Sequence, residues 1–403
     1  MTDIRITVTN TSATGGTFLT PFWFAAHDGS FDLYDRGDAA SAGLEALAED
    51  GNFAPINAEV TATDADAVTG AVFGAAGPIA TEETTTATLS VDGSSAAYLS
   101  LAAMILPSND AFVGTGEALR LFDDQGRFLG AQTVNFEGTD VLDAGTEVNT
   151  EEDAAFLNQT APNTGVDENG VVTLHPGFLP EGEGNILGGT NAFGAVIDPE
   201  VADFTQPGAG IADIHINRVE TTTGSNRSDF LRGSSADDII HGEAGRDVLI
   251  GRSGYDDLYG GDGRDYLLGG RGNDRLDGGD GRDLLKGGRD NDLLLGGAGN
   301  DTLKGGQGQD VLDGGTGRDI LKGGRDADVF VFQEGYGRDT VLGFQAGEDY
   351  LALSIDGVDD FDTLLEFGRE RGNEVRFNFG DGDVLVLKHT SLDALEAENI
   401  DFI

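Results

Sequence analysis

Twelve aspartates stand nine residues apart, at 229, 238, 247, 256, 265, 274, 283, 292, 301, 310, 319 and 328. Two residues after each stands one large apolar side chain: Leu231, Ile240, leucine at 249, 258, 267, 276, 285, 294, 303, 312 and 321, and finally Phe330. In its fullest form the nonad reads Gly-Gly-x-Gly-x-Asp-x-Leu-x, as in GGDGRDYLL from Gly260 and GGDGRDLLK from Gly278. Carboxylates and glycine carbonyls are hard oxygen donors. They suit a hard cation such as calcium, which takes about six to eight oxygens. No single nonad offers that many, so neighbouring loops must share an ion.

The elements that would bring them together follow from the other positions. The first six residues of a nonad form a turn, in which glycine allows positive φ and leaves carbonyls accessible. The last three, x-Leu-x, make one short strand with its apolar side chain turned inward. One nonad cannot bury its leucine alone. Two make a coil, and stacked coils bury a ladder of leucines. Each aspartate then meets the one two nonads later, for example Asp256 with Asp274 and Asp265 with Asp283. A Gly/Asp-rich disordered linker is the alternative, but a linker has no reason to keep an apolar residue in fixed phase.

The nonapeptide is a known pattern of calcium-binding parallel β-helices, and residues 224–331 resemble the RTX, or haemolysin-type, calcium-binding repeat. The resemblance implies a parallel β-roll holding several Ca2+ ions, with Asp238, Asp247, Asp256, Asp265, Asp274, Asp283, Asp292, Asp301, Asp310, Asp319 and Asp328 as metal ligands. The first two nonads, GSNRSDFLR and GSSADDIIH, lack the second glycine, so ion sites are weaker at that end. In the nonads from 287 and 323 position four is Asp290 or Asp326, an added carboxylate at some cost in turn freedom.

The 403 residues suffice for two or three domains, and the formal net charge is −48. Such a charge argues against nucleic acid or an anionic membrane held through a basic face, and for cations as partners. It also links folding of the repeats to metal, since the carboxylates repel one another until neutralised. With no cysteine, an extracellular form would rely on metal in place of disulfides. The start, MTDIRITVTN, alternates like a strand and lacks the layout of a signal peptide. No apolar run reaches the length of a transmembrane helix. RTX proteins typically leave Gram-negative cells by type I secretion, so the resemblance implies that machinery as a partner and a secreted or cell-surface location.

Residues 1–219 read as mostly β. Strands are expected at Arg5–Asn10, Phe18–Ala26, Glu59–Thr63, Leu99–Leu106, Val171–His175 and Ile211–Val219. A helix is expected with Asp38 as N-cap and Leu44 and Leu47 on one face, and a second near Thr150. His27 in FAAHDGS, Gly37 with Ala40-Ser41, AEDG from Ala48, PSNDAFVG from Pro107, DAGTE from Asp143 and the closing IADIHINRV resemble, in order and spacing, the spondin domain in its bacterial form. That resemblance implies a C2-like β-sandwich with a calcium ion at one end and a part in adhesion. It places ligands at Asp110 and Asp143, where an Asx-turn is the plain alternative. Where animal spondin domains use a further acid, this chain has Ser90 and Asp92.

Beyond the nonads, residues 332–403 carry strand-like runs at Thr340–Phe344, Tyr350–Leu353, Glu374–Phe379 and Val384–Lys388 and should cap the roll. DADVFVFQEGYGRDTVLGF resembles the exit from other RTX repeats. The terminal Asp401-Phe402-Ile403 reads either as a type I secretion signal or as a last strand.

Catalytic motifs are missing. The five histidines (27, 175, 215, 241 and 389) form no H-E-x-x-H, and no G-x-S-x-G elbow or P-loop occurs. His27 beside Asp28 suits a structural role better than that of a ligand or base. Phe22-Trp23-Phe24 could be a sugar platform, or core with one ring outward. The sequence thus predicts an all-β chain: a spondin-like sandwich (1–219), an RTX roll (220–331) and a β-rich C-terminal cap with secretion signal (332–403). The expected function is a secreted, non-enzymatic calcium-binding protein acting in adhesion or matrix association through a glycan or protein ligand. A hydrolase with an acidic pair in the first domain and a surface-layer or biofilm component are the alternatives.

Overall fold

The computed structural model describes all residues except 13–16, 37, 76–77, 82, 107–110, 145–171, 175–208 and 403. The chain forms two compact units, Met1–Arg218 and Val219–Ile403.

The first unit is a sandwich of two antiparallel sheets. One contains Gln132–Glu137, Gly210–Thr223, Thr2–Asn10 and Thr84–Val91, in that spatial order. The other runs Thr173–Leu174, Leu142–Asp143, Ala111–Gly114, Tyr98–Leu106, Phe22–His27 and Val68–Val72. Alternation along the strands decides which side chains meet. Ile4, Ile6 and Val8 of the first sheet pack on Phe22, Phe24, Leu99, Leu101 and Ile105 of the second. The outer face of the second sheet is covered by two helices, α1 (Ala42–Asp50) and α2 (Phe53–Thr63). Trp23, Ala25, Ala102 and Phe112 lie there against Leu44, Leu47, Ile56 and Val60.

Three expectations are corrected here. The N-cap of α1 is Ser41, whose Oγ accepts the Leu44 N–H at 3.1 Å, and not Asp38. Glu59 braces that cap from α2, accepting the Gly43 N–H at 2.7 Å and the Ser41 hydroxyl at 2.6 Å. Glu59–Thr63 is the end of α2, not a strand, because Ile56 and Val60, four apart, bury one helical face despite the local alternation. None of the Phe22-Trp23-Phe24 rings faces outward: Phe22 and Trp23 are fully buried, and Trp23 Nε1 donates to Asn57 Oδ1 of α2 at 2.8 Å. The expected helix near Thr150 falls outside the described residues.

The second unit is a parallel solenoid whose strands alternate between two walls. The first wall holds Asp237–His241, Asp257–Gly263, Arg275–Gly281, Leu293–Leu295, Val311–Asp313 and Val329–Gln333. The second holds Phe230–Arg232, Val248–Ser253, Tyr266–Arg271, Leu284–Arg289, Thr302–Gln307 and Ile320–Arg325. Within these walls successive strands pair at an offset of 18 residues, as in Leu258 with Leu276 and Leu267 with Leu285. The apolar residues from Ile240 to Phe330 form one buried column, each at most 1% exposed.

Parallel stacking continues past the last nonad. Thr340 pairs with Ile320 on the second wall, and Tyr350 pairs with Val329 on the first. Asp383–Lys388 then adds to Arg338–Leu342, and Ile400–Phe402 to Tyr350–Ser354. Glu374–Gly380 and Gly368–Glu370 turn antiparallel and end the second wall. A short helix, α3 (Phe361–Phe367), capped by Asp360 on the Thr363 N–H at 2.7 Å, packs Leu364 into the end of the apolar column.

Candidate metal centre

The aspartates stack in two columns, one at each end of the coils. The backbone N–H of each donates to Oδ1 of the aspartate in the next coil: Asp247 to Asp265 at 2.7 Å, Asp256 to Asp274 at 2.9 Å, Asp265 to Asp283 at 2.7 Å, Asp274 to Asp292 at 2.9 Å. The series runs on through Asp301, Asp310, Asp319 and Asp328. Pairing two nonads apart, read from the spacing, is therefore the geometry present. From Asp238 to Asp328 each carboxylate is at most 3% exposed.

One oxygen of each is thus committed. The other, Oδ2, is buried without a hydrogen-bond partner in Asp247, Asp265, Asp274, Asp283, Asp292, Asp301, Asp310, Asp319 and Asp328. An orphaned buried carboxylate oxygen is costly, and nine in register mark places that call for a cation.

The space beside Oδ2 is kept open by the first glycine of the nonad. A Cβ on Gly260 would lie 2.6 Å from the Gly278 carbonyl oxygen and 2.9 Å from Asp265 Oδ2. That glycine serves by having no side chain between a carboxylate and a carbonyl. The second and fourth glycines serve by conformation, Gly261 at φ 95° and Gly263 at φ 155°. Glu243 and Arg252 take the second position at φ 75° and 94°, so early coils hold the same turn with side chains strained into it. Among the described residues no three acidic or histidine side chains converge on one point. An ion here would be held by carboxylate and backbone carbonyl oxygens together, the mix calcium accepts.

Electrostatics agree with the geometry. Burial pushes the carboxyls of Asp283 and Asp319 up to about 6, those of Asp301, Asp310 and Asp328 to about 7, Asp292 to about 8 and Asp274 to about 10. Like charge adds to it, Asp256 acting on Asp274 and Asp283 on Asp301. Without cations the columns cannot be fully ionised at neutral pH. A bound divalent ion reverses both effects.

The two ends are built differently. Asp229 Oδ2 accepts the Ser225 N–H at 2.7 Å and its hydroxyl at 2.8 Å, and Asp238 Oδ2 accepts the Ser234 N–H at 2.7 Å. These are the nonads with serine for the second glycine, and the protein itself fills the place a cation would take. Asp290 and Asp326 turn their carboxylates to the Gly272 and Gly308 N–H groups at 3.0 and 3.2 Å.

Two members of the columns escaped the nine-residue reading. Asp339 Oδ1 accepts from the Asp319 N–H at 3.0 Å and Asp349 Oδ1 from the Asp328 N–H at 3.1 Å. Asp339 is fully buried with Oδ2 orphaned, whereas Asp349 Oδ2 is closed by the Gln345 N–H at 2.8 Å. The signal was present: Asp339-Thr-Val341 and Asp349-Tyr-Leu351 keep the aspartate-x-apolar spacing after the nonad length changes.

In the first unit Asp143 is 8% exposed and pairs with Ala111 across two strands. Ala111 follows Asp110, which lies outside the described residues. Asp92 is exposed, and its Oδ1 accepts the Ser94 N–H and hydroxyl at 3.0 and 2.7 Å, an Asx-turn. His27 is fully buried, with Nδ1 accepting the Gly29 N–H at 3.1 Å, which puts its proton on Nε2 facing Ser100 Oγ at 3.0 Å. Burial lowers its pKa despite Asp28 and Asp64 nearby. A ring so engaged holds strands together and does not activate the serine.

Comparison with known proteins places these observations. Residues 17–168 match the Spondin_N family, and residues 223–258, 259–294 and 295–330 match the RTX calcium-binding nonapeptide repeat. A search of curated proteins returns no match. Among solved structures, the extracellular lipase LipA from Serratia marcescens is similar at 21% identity and a TM-score of 0.25, over 46% of this chain and 40% of that one. The AlgE6R3 subunit of the Azotobacter vinelandii mannuronan C5-epimerase is similar at 27% identity and a TM-score of 0.24, over 29% of this chain and 77% of that one. The chain is a calcium-binding protein of the secreted type, with a spondin-type domain ahead of an RTX β-roll. No helix among the described residues is long and apolar enough to cross a membrane.

Proposed function

We propose that this protein is a non-enzymatic, extracellular calcium-binding adhesin or matrix component. Its roll stays unfolded during export by type I machinery and folds where calcium is abundant, and its spondin-type unit contributes recognition. The observation that carries the reading is the set of nine buried Oδ2 atoms without a hydrogen-bond partner in the two columns, those of Asp247, Asp265, Asp274, Asp283, Asp292, Asp301, Asp310, Asp319 and Asp328. Calcium would supply the positive charge those atoms lack, with Asp265 and Asp283, or Asp256 and Asp274, and the first-glycine carbonyls holding it. The chain's own part is to keep the carboxylates aligned by the N–H ladder, exclude water with the leucine column, and leave room beside each first glycine.

Folding then becomes binding. Far-UV circular dichroism of the full chain should lose most of the solenoid's β signal in chelator and regain it with calcium. A spectrum indifferent to chelator would overturn the reading. The non-enzymatic part is tested by incubating the calcium-loaded protein with a panel of glycans and esters; turnover of any would overturn that part alone.

A further inference from the structure

The two walls of the solenoid carry opposite charge. The six strands of the second wall hold eight lysines and arginines and no aspartate or glutamate. The six of the first wall hold seven aspartates and one cation, Arg275. In a chain of net charge −48 with only 24 basic residues, eight on one wall without a single acid is a marked segregation.

The cations are also aligned. Lys286, Lys304 and Lys322 pair in register on successive strands and form one straight column. Arg271 and Arg289 pair in register at the rim of the same strands, and Gln307 and Arg325 continue that line. Parallel strands lie about 4.8 Å apart, so both columns present a donor every coil along the solenoid axis. Lys304, Lys322, Arg271, Arg289 and Arg325 are exposed. Lys286 is steadied by Tyr266, whose hydroxyl accepts from Nζ at 3.1 Å and whose ring centroid lies 5.1 Å away. The carboxylates that follow Arg289 and Arg325, Asp290 and Asp326, are turned to backbone N–H groups of the neighbouring coil, and those that precede the strands from Val248 to Ile320 are the buried aspartates of the metal columns.

We propose that this wall binds an extended anionic polysaccharide, one with a carboxylate or sulfate on each sugar, laid along the solenoid axis. The inference rests on the calcium-folded extracellular reading above and names the ligand class it left open. It places that ligand on the roll itself, in addition to any recognition by the first unit. Linear columns of evenly spaced cations match a linear polyanion. They match a bilayer less well, because the protruding apolar side chains Phe230 (68% exposed) and Ile320 (43%) stand at opposite ends of the wall and form no patch to insert.

The test uses the full chain in calcium at physiological ionic strength, with oligogalacturonate as the probe and neutral dextran and anionic lipid vesicles as comparison arms. Wild type should bind oligogalacturonate and not dextran. Lys286→Glu/Lys304→Glu/Lys322→Glu should weaken binding about tenfold or more, and the milder triple glutamine variant should fall between. A charge-matched control, Arg36→Glu/Arg127→Glu/Arg371→Glu, alters exposed arginines scattered elsewhere and should bind as wild type does. Equal binding by wild type and the lysine variants would mean that calcium bridges two acidic partners, and would overturn the proposal. So would equal loss in the control, or binding to vesicles only. Calcium uptake and circular dichroism, read in the same samples, separate this outcome from failure of the calcium reading: a folded, calcium-loaded wild type that ignores oligogalacturonate sinks only the polysaccharide inference.

Discussion

The two units solve the problem of burying a core in contrasting ways. The sandwich packs side chains of many shapes, with Trp23, Phe22, Phe112 and Phe122 among the largest fully buried. Its buried polar groups include His27 and Asn10, which hydrogen-bond within the protein. The roll has a core one leucine wide, flanked by carboxylates of which nine between Asp247 and Asp328 keep a second oxygen without a donor. His27 and Asn10 thus find their partners within the protein, while the second unit leaves buried carboxylate oxygens for its solution to satisfy. Stability in the roll is a property of protein and cation jointly.

The widest gap between the units should open on chelation. Thermal unfolding in chelator should show the sandwich transition alone, and calcium should restore a second one. A single transition unaffected by metal would erase the contrast. Next in size is Leu276→Ala. A solenoid coil touches only its neighbours, so the expected cost of about 2–5 kcal/mol falls at one place and should split calcium-loaded unfolding into two steps.

A sharper test sits within the roll. Asp274→Asn removes an orphaned oxygen, whereas Asp238→Asn alters a carboxylate already served by the Ser234 N–H. The calcium midpoint for folding should rise for Asp274→Asn by at least the ~10-fold that loss of an outer-shell partner costs. For Asp238→Asn it should move far less. Equal shifts would show that the ends are metal-held too.

The smallest effect concerns protons. In the metal-free folded roll, carboxyl pKa values between about 6 and 10 lie above those of the unfolded chain. The folded form then binds more protons, so its stability falls as pH rises through that range and returns on acidification. In chelator, β signal should grow as pH drops from 8 toward 5. With calcium present the sign inverts, since protons compete for the ligands. A chelated roll that gained structure as pH rose would contradict this.

Much of the roll was legible because its two signals, aspartate and leucine, keep one phase. The same rule hid Asp339 and Asp349, where the spacing stretches to 20 and 21 residues while the hydrogen-bond ladder continues. The charge of the two walls was invisible to a nine-residue reading, which superimposes strands that face opposite ways. In the sandwich, alternation found Arg5–Asn10 and Ile211–Val219, which lie within the strands Thr2–Asn10 and Gly210–Thr223, but misread Glu59–Thr63. There a β-branched, alternating stretch is helical because Ile56 and Val60 have a sheet to cover. Local pattern fails where a partner surface elsewhere in the chain decides the period.

The repeat of the sequence is nine residues but the register of the strands is eighteen. Losing or gaining one nonad would send every later strand to the opposite side, trading lysine columns for aspartates and misaligning the C-terminal strands with their partners. Length in this molecule can change smoothly only by whole coils, so its ancestry should show duplications in pairs. An engineer wishing to lengthen it must insert two nonads at a time.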